Sequence, residues 1–289
     1  MIPFRFLKSR FDKPEAPQEQ LDTVFEYILL DDVPHFDTPL PTNVLPLCTP
    51  QEVGEGYRLC WQLLEQGVNR RAFSRLTLKI ACSGHASPEE QRDFKYARAK
   101  FKHMRFACAN FAQSHRYPIL LHIITIIMGN MQDAFKNHQR TATLLNGLLL
   151  WYMLTPPFYW LIRLPLIIIR LGSPEDILNY QKKQNKKLAR LMTTLQSTTG
   201  HEFHVMRKII SRRVSFNDTL RTIRPSHQLN QLSEYLATVN GMMGDMHDTI
   251  IEKKLNGTQS YHRDRFQPPS KIIERINAFL SRGEKETSH

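Results

Sequence analysis

Basic side chains recur at short, regular intervals near the middle of the chain. Four cations follow Ser87 at steps of three or four residues: Lys95, Arg98, Lys102 and Arg105. At about 100° per residue, they fall within an arc of about 80° on a helix. Arg and Lys side chains grouped in this way can donate charge-assisted hydrogen bonds to phosphate oxygens. The spacing therefore predicts an anion-binding stripe.

The stripe borders the apolar side of the same helix. The apolar set recurs at three- and four-residue steps and occupies the adjacent arc: Phe94, Ala97, Phe101, Met104 and Cys108. A run of charges that only improves solubility would lie opposite the buried face. The alternative interpretation is a solvated flank whose long side chains lie along apolar neighbours.

A two-part internal repeat carries the stripe into the second half of the chain. The segment Phe94–Arg98 matches Phe203–Arg207 at an offset of 109, and Met128–Asp133 matches Met243–Asp248 at an offset of 115. The same order of both parts in each half indicates a duplicated helical hairpin. The second stripe then contains the following candidate phosphate ligands: His204, Arg207, Lys208 and Arg212.

Pseudo-twofold packing of the two hairpins would bring these stripes across a shared groove. Like charges held close together are unfavourable without a counter-anion, so the groove should bind a multivalent anion. Asp133 and Asp248 could orient Arg98 and Arg207 or could simply be exposed. Gly129 and Gly244 are expected to let two helices approach closely.

Three helix starts share one capping pattern. Thr49, Ser87 and Ser173 each precede a Pro, and each is followed three residues later by an acid. The hydroxyl caps an unpaired backbone N–H, Pro suits the first helical position, and the acid favours the positive end of the helix. Further helices are predicted at about 119–140, 144–170, 174–198, 202–222, 227–253 and 270–282, so we expect an all-α fold.

The stretch Gly147–Leu171 is strongly apolar and approaches the roughly 20 residues that span a bilayer. Pro156-Pro157, Arg163 and Pro165 interrupt it. Two short buried helices joined at the Pro pair are the preferred prediction. The alternative is a membrane-embedded or interfacial hairpin, since Trp151, Trp160 and Tyr159 resemble interface anchors.

Charge divides the chain of 289 residues, whose net charge is +12, into an acidic and a basic part. Residues 11–65 contain 11 acidic residues and two basic ones, whereas residues 66–289 carry a net charge of +18. We expect a Pro-rich, mostly extended acidic arm over 1–48, with one short helix or strand near Leu21–Leu30. A helical domain over 49–289 would follow, with repeats at about 88–172 and 173–285. Its charge predicts an acidic partner.

The motifs of several enzyme classes are missing from the sequence. There is no phosphate-binding glycine loop and no H-E-x-x-H, and the four cysteines form no C-x-x-C pair. His201 and His204 lie one helical turn apart without a convincing third metal ligand. No serine or cysteine lies in a recognisable nucleophile setting. We therefore expect a protein that is not an enzyme and holds no metal or cofactor. The basic N-terminus lacks the features of a signal peptide, so a cytoplasmic location is expected.

The repeat resembles the CHAD family, the conserved histidine α-helical domain, over roughly residues 88–285. That family has two related helical bundles, each opening with His-x-x-Arg and carrying a later Leu-Gly-x-x-Arg/Asn-Asp element. The second half supplies His204-x-x-Arg207 and Met243–Asp248; in the first half Lys95 takes the place of the opening histidine. The resemblance implies non-catalytic binding of inorganic polyphosphate in a basic central channel. No Glu-x-Glu-x-Lys strand of the associated hydrolase domain occurs here.

These features are compatible with three functions. The first is binding of polyanions, above all inorganic polyphosphate, in a basic groove between the two helical repeats. The second is nucleic-acid binding through the same charge, although the aromatic residues of the basic helix lie on its apolar arc rather than where bases could stack on them. The third is membrane association through Gly147–Leu171, with the basic helices on anionic lipid.

Overall fold

The computed structural model describes residues 15–193, 198–258 and 260–287. Eleven α-helices account for most of these residues, which confirms the predicted all-α fold. In chain order they are α1 Gln18–Leu29, α2 Pro50–Gly67, α3 Arg70–Ser83, α4 Pro88–Phe111, α5 Ile119–Lys136, α6 Arg140–Met153, α7 Pro156–Ile168, α8 Pro174–Met192, α9 Gly200–Ile223, α10 His227–Leu255 and α11 Ser270–Thr287. The predicted helix over 174–198 ends at Met192, and residues 194–197 lie outside the described part.

The three predicted helix starts form as expected. The hydroxyls of Ser87 and Ser173 accept from the backbone N–H of Glu90 and Asp176, and those carboxylates accept in return from the caps' own N–H groups. Thr49 and Glu52 make the same reciprocal pair, at 3.2 and 2.7 Å. Such capping boxes satisfy N–H groups that no helical partner can reach.

One compact unit contains Gly54–Leu171 together with the described residues as far as Phe25. Its helices α3, α4, α5 and α6 form a closed ring in which each contacts the next and α6 contacts α3. Aromatic rings fill the centre: Phe94 lies 5.4 Å from both Phe73 and Phe135, measured between ring centroids. Burial of these rings is the main contribution to the stability of the ring of helices.

The apolar segment near the end of this unit forms two short helices, as predicted. Helix α6 ends at Met153, and Pro156-Pro157 then begins α7, which rests on α5 and α6. Tyr57 donates to the Leu166 carbonyl, and Arg163 pairs with Glu65 at 2.7 Å. No described helix is long and apolar enough to cross a membrane. The prediction that both helices are buried is wrong, because their outward faces remain exposed.

The other compact unit contains Glu26–Val53 and the described residues from Gly172 onward. Helices α8, α9, α10 and α11 again form a closed ring, in which α11 contacts α8. Phe203, Met206, Leu236 and Phe279 lie in its core, each almost inaccessible to water. Two short strands, β1 Thr198–Thr199 and β2 Arg265–Phe266, pair antiparallel beside the start of α9.

In the described part of the acidic arm, the predicted short element is the helix α1. Residues 1–14 of the arm lie outside the described part. After α1 the chain is irregular until α2. Within the second unit, the Glu286 carboxylate accepts from the backbone N–H groups of Val44 and Leu45 at 2.7 and 3.0 Å. Buried Arg213 donates to the Val44 carbonyl at 2.7 Å. These hydrogen bonds satisfy backbone groups of Val44 and Leu45, which lie in an extended segment and have no partners in a helix or sheet.

Candidate functional site

The two halves of the sequence repeat share one side-chain contact, in which an arginine lies over a glycine. In the hairpin of α4 and α5, the guanidinium of Arg98 lies over Gly129, so a Cβ placed there would come 3.3 Å from Nη2. In the hairpin of α9 and α10, Arg207 lies over Gly244, and the corresponding distance is 2.8 Å. Each glycine thus makes room for an arginine side chain, where the sequence had suggested close approach of two helices.

A pair of histidines lies beside Arg207 in the second unit. The ring of His204 on α9 stacks on the ring of His247 on α10, with centroids 4.8 Å apart and 30° between the planes. Their positions correspond in the repeat to Lys95 and Gln132 of the first unit. His247 stands inside the repeated Met-Gly-x-Met-x-Asp element, so comparison of the two halves could have identified it. His247 is not among the predicted phosphate ligands.

Tyr261 closes one side of this pair, and no sequence signal pointed to it. Its hydroxyl lies 3.1 Å from Nε2 of His247. The pairing of β1 with β2 brings this segment against the start of α9, where a Cβ on Gly200 would lie 2.6 Å from the Tyr261 ring. His201 and His262 add a second ring pair, 5.6 Å apart.

The surroundings of His204 disfavour its protonated form. Burial and, to a smaller extent, the nearby charges of Lys208, His247 and Arg207 together lower the pKa of His204 to about 3. The Nδ1 atoms of His204 and His247 are buried and accept or donate no hydrogen bond among the described residues.

Arg207 is half-buried, and no carboxylate in the described ranges lies within ion-pair distance of it. Asp248 is not its counter-ion: its side chain is 84% exposed, and its carboxylate lies 3.6 Å from Nδ1 of His247. Lys208, the next residue along α9, is exposed. Arg207 is therefore a cation beside the histidine pair for which the described ranges contain no carboxylate partner.

The candidate cations of the first unit do not all lie in one place. Lys95 is exposed at the first turns of α4, and Arg98 lies over Gly129. Arg105 is engaged with α5, where it donates to Thr125 at 2.8 Å and lies 3.3 Å from Nδ1 of His122. Lys102 lies over the Phe106 ring, 5.7 Å from its centroid, and Asp133 is exposed.

Arg212 lies away from the histidine pair. Its guanidinium donates to the Tyr180 hydroxyl at 3.0 Å and to Gln184 at 3.3 Å, both on α8. Arg207 instead lies over α10. Arg207 and Arg212 of α9 therefore contact different helices. Of the predicted ligands in the second unit, His204, Arg207 and Lys208 lie close together.

The four histidines near the start of α9 do not form a metal centre. No group of three or more His, Cys, Asp or Glu side chains among the described residues could hold a metal ion. Comparisons with protein-family models, curated proteins and solved structures find no match to this chain. What the site can bind therefore follows from its own chemistry, in which the cations Arg207 and Lys208 lie near the stacked imidazoles of His204 and His247.

Proposed function

We propose that this protein binds inorganic polyphosphate, without catalysis, through the cationic faces of its two repeated hairpins. The observation that carries the proposal is the repeated placement of an arginine over a glycine, with Arg207 beside the stacked rings of His204 and His247 and without a carboxylate partner in the described part of the chain. The resemblance to the CHAD family supports it, as do two rings of four helices in the same order.

The side chains suit a chain of phosphates. A guanidinium offers a planar fork of donors to two oxygens, Lys208 adds a mobile point charge, and an imidazole can donate one neutral hydrogen bond. Binding would be strongly electrostatic, so affinity should fall steeply as salt rises. These groups need no proton transfer or nucleophile to hold such a ligand.

Nucleic acid is the competing ligand. Proteins that bind single strands usually add exposed aromatic rings on which bases stack. Here four aromatic side chains of the basic helix α4 are buried: Phe94, Phe101, Phe106 and Phe111. The fifth, Tyr96, is half-buried with its ring against Phe25. The arrangement therefore favours a ligand that presents phosphates alone.

The test replaces the two repeated arginines by acids. Arg98→Glu/Arg207→Glu should abolish binding to long-chain polyphosphate, measured by fluorescence anisotropy at two salt concentrations, and should leave helicity by circular dichroism intact. The matched control is Arg71→Glu/Lys285→Glu, which alters net charge equally at two exposed positions, one in each unit. Undiminished binding by the first variant, or equal losses in both, would refute the site.

A competition titration separates the two ligands. Polyphosphate should displace single-stranded RNA and duplex DNA from the wild-type protein at equal phosphate concentration. Failure to displace them would favour nucleic acid as the ligand.

A further inference from the structure

The first unit carries a wide apolar surface that none of the proposed phosphate contacts uses. On α6, every exposed residue from Leu144 to Tyr152 is apolar or aromatic: Leu144, Leu145, Leu148, Leu149, Trp151 and Tyr152. The buried residues of the same helix, among them Thr143, Gly147 and Leu150, lie on the opposite side. The water-facing side of α6 therefore has the composition of a protein core.

Helix α7 repeats this arrangement. Its exposed large side chains recur at helical spacing on one face: Trp160, Leu161, Leu164 and Ile168. Ile162 and Leu166 face inward and are almost fully buried. Because α7 contacts both α5 and α6, the exposed sides belong to neighbouring helices.

Helix α5 extends the surface at its N-terminal half, where Ile119, Ile123 and Ile126 are exposed at helical spacing. The Gln113 amide donates to the Arg170 carbonyl at 2.9 Å, which brings the end of α7 beside the loop that leads into Ile119. Monomeric proteins rarely expose continuous apolar patches larger than a few hundred Å². We call the exposed sides of α5, α6 and α7 the apolar face.

The charged residues of the segment that carries α6 and α7 are all basic. From Ala134 to Ser173 the sequence contains four basic residues and no acidic one: Lys136, Arg140, Arg163 and Arg170. Arg163 is paired with Glu65, whereas Lys136, Arg140 and Arg170 are exposed. Two copies of this face would bring like charges together. A negatively charged partner would complement them.

We propose that the apolar face docks in the headgroup region of an anionic lipid bilayer, with α6 and α7 lying in the plane of the surface. Each of these helices is about 20 Å long, against a hydrocarbon core of about 30 Å. Leu and Ile side chains would enter the acyl boundary, Trp151, Tyr152 and Trp160 would lie at the headgroup level, and Arg140 and Arg170 would contact lipid phosphates. This inference does not depend on polyphosphate binding.

The test is co-sedimentation of the full chain with vesicles of phosphatidylcholine containing phosphatidylserine, compared with phosphatidylcholine alone. Wild type should bind the anionic vesicles, and Leu145→Ser/Trp160→Ser should lower the partition coefficient by roughly tenfold or more. The matched control Phe36→Ser/Leu47→Ser removes two apolar side chains of similar exposure in the other unit. It should bind as wild type does.

Further variants separate the contributions. Arg140→Gln/Arg170→Gln should reduce the preference for anionic over neutral vesicles. Arg98→Glu/Arg207→Glu should still sediment with anionic vesicles, and Leu145→Ser/Trp160→Ser should still bind polyphosphate. The lipid proposal and the polyphosphate proposal can therefore fail independently of each other. Wild type remaining in the supernatant would overturn the lipid proposal. So would a dimer, seen by sedimentation equilibrium, that Leu145→Ser/Trp160→Ser dissociates, because the face would then bind a second copy.

Discussion

Replacing Gly244 by alanine should weaken polyphosphate binding without unfolding the protein. A Cβ at this position would lie 2.8 Å from Nη2 and 3.3 Å from Cζ of Arg207, closer than real contacts allow. Every close atom belongs to the far end of one flexible side chain. The guanidinium can therefore move aside while the helices keep their places.

Two opposing effects determine the size of this change. Alanine inside a helix is favoured over glycine by about 1 kcal/mol, so displacement of Arg207 should leave the free energy of unfolding unchanged or raised by up to about that amount. A charged hydrogen bond contributes about 1.5–3 kcal/mol, so losing one contact to phosphate should weaken binding by roughly 10- to 100-fold. Gly129→Ala should have a smaller effect, because its Cβ would lie 3.3 Å from Arg98.

Urea denaturation and anisotropy with labelled polyphosphate measure the two quantities on the same preparations. Gly54→Ala is the control, because a Cβ there meets nothing within 4 Å. It should stabilise α2 by about 1 kcal/mol and leave affinity unchanged. If Gly244→Ala binds as tightly as wild type, the placement of Arg207 over Gly244 has no role in binding, and the reasoning fails.

Two further predictions concern stability. Burial, assisted by nearby Lys102, lowers the pKa of His103 to about 3, so the unfolded chain binds more protons below about pH 6.5. Between pH 7 and pH 5, the free energy of unfolding, measured by urea denaturation, should therefore fall by about 2 kcal/mol more in wild type than in His103→Gln. The two proteins are compared because the raised pKa of Asp218, about 7, acts in the opposite direction in both. Equal losses would contradict the lowered pKa of His103. Glu286→Ala removes the acceptor of two backbone N–H groups and should cost about 2–3 kcal/mol, whereas exposed Glu284→Ala on the same helix should cost under about 1 kcal/mol. Thermal denaturation checks the second pair, and similar melting temperatures would show that Glu286 does not hold the arm.

The sequence alone determined the helical class, three of the helix starts and the break at Pro156-Pro157. These features are local, because a capping side chain and a proline act on backbone groups within one helical turn. The sequence also revealed the repeat, because similar segments that occur in the same order in both halves can be recognised without knowledge of packing. The contacts of Arg98 and Arg207 with their glycines show that this pattern records a shared side-chain arrangement.

Only the tertiary structure decided which predicted residues come together. Arg207 and Arg212 lie on the same helix, but the Arg207 side chain lies over Gly244 of α10, whereas Arg212 donates a hydrogen bond to Tyr180 of α8. Tyr261 lies beside His247 in a segment that β1 and β2 hold at the start of α9, and these two strands are more than sixty residues apart in the chain. The apolar run 147–171 could likewise have been core or surface, since hydropathy does not show which side of a helix its neighbours cover.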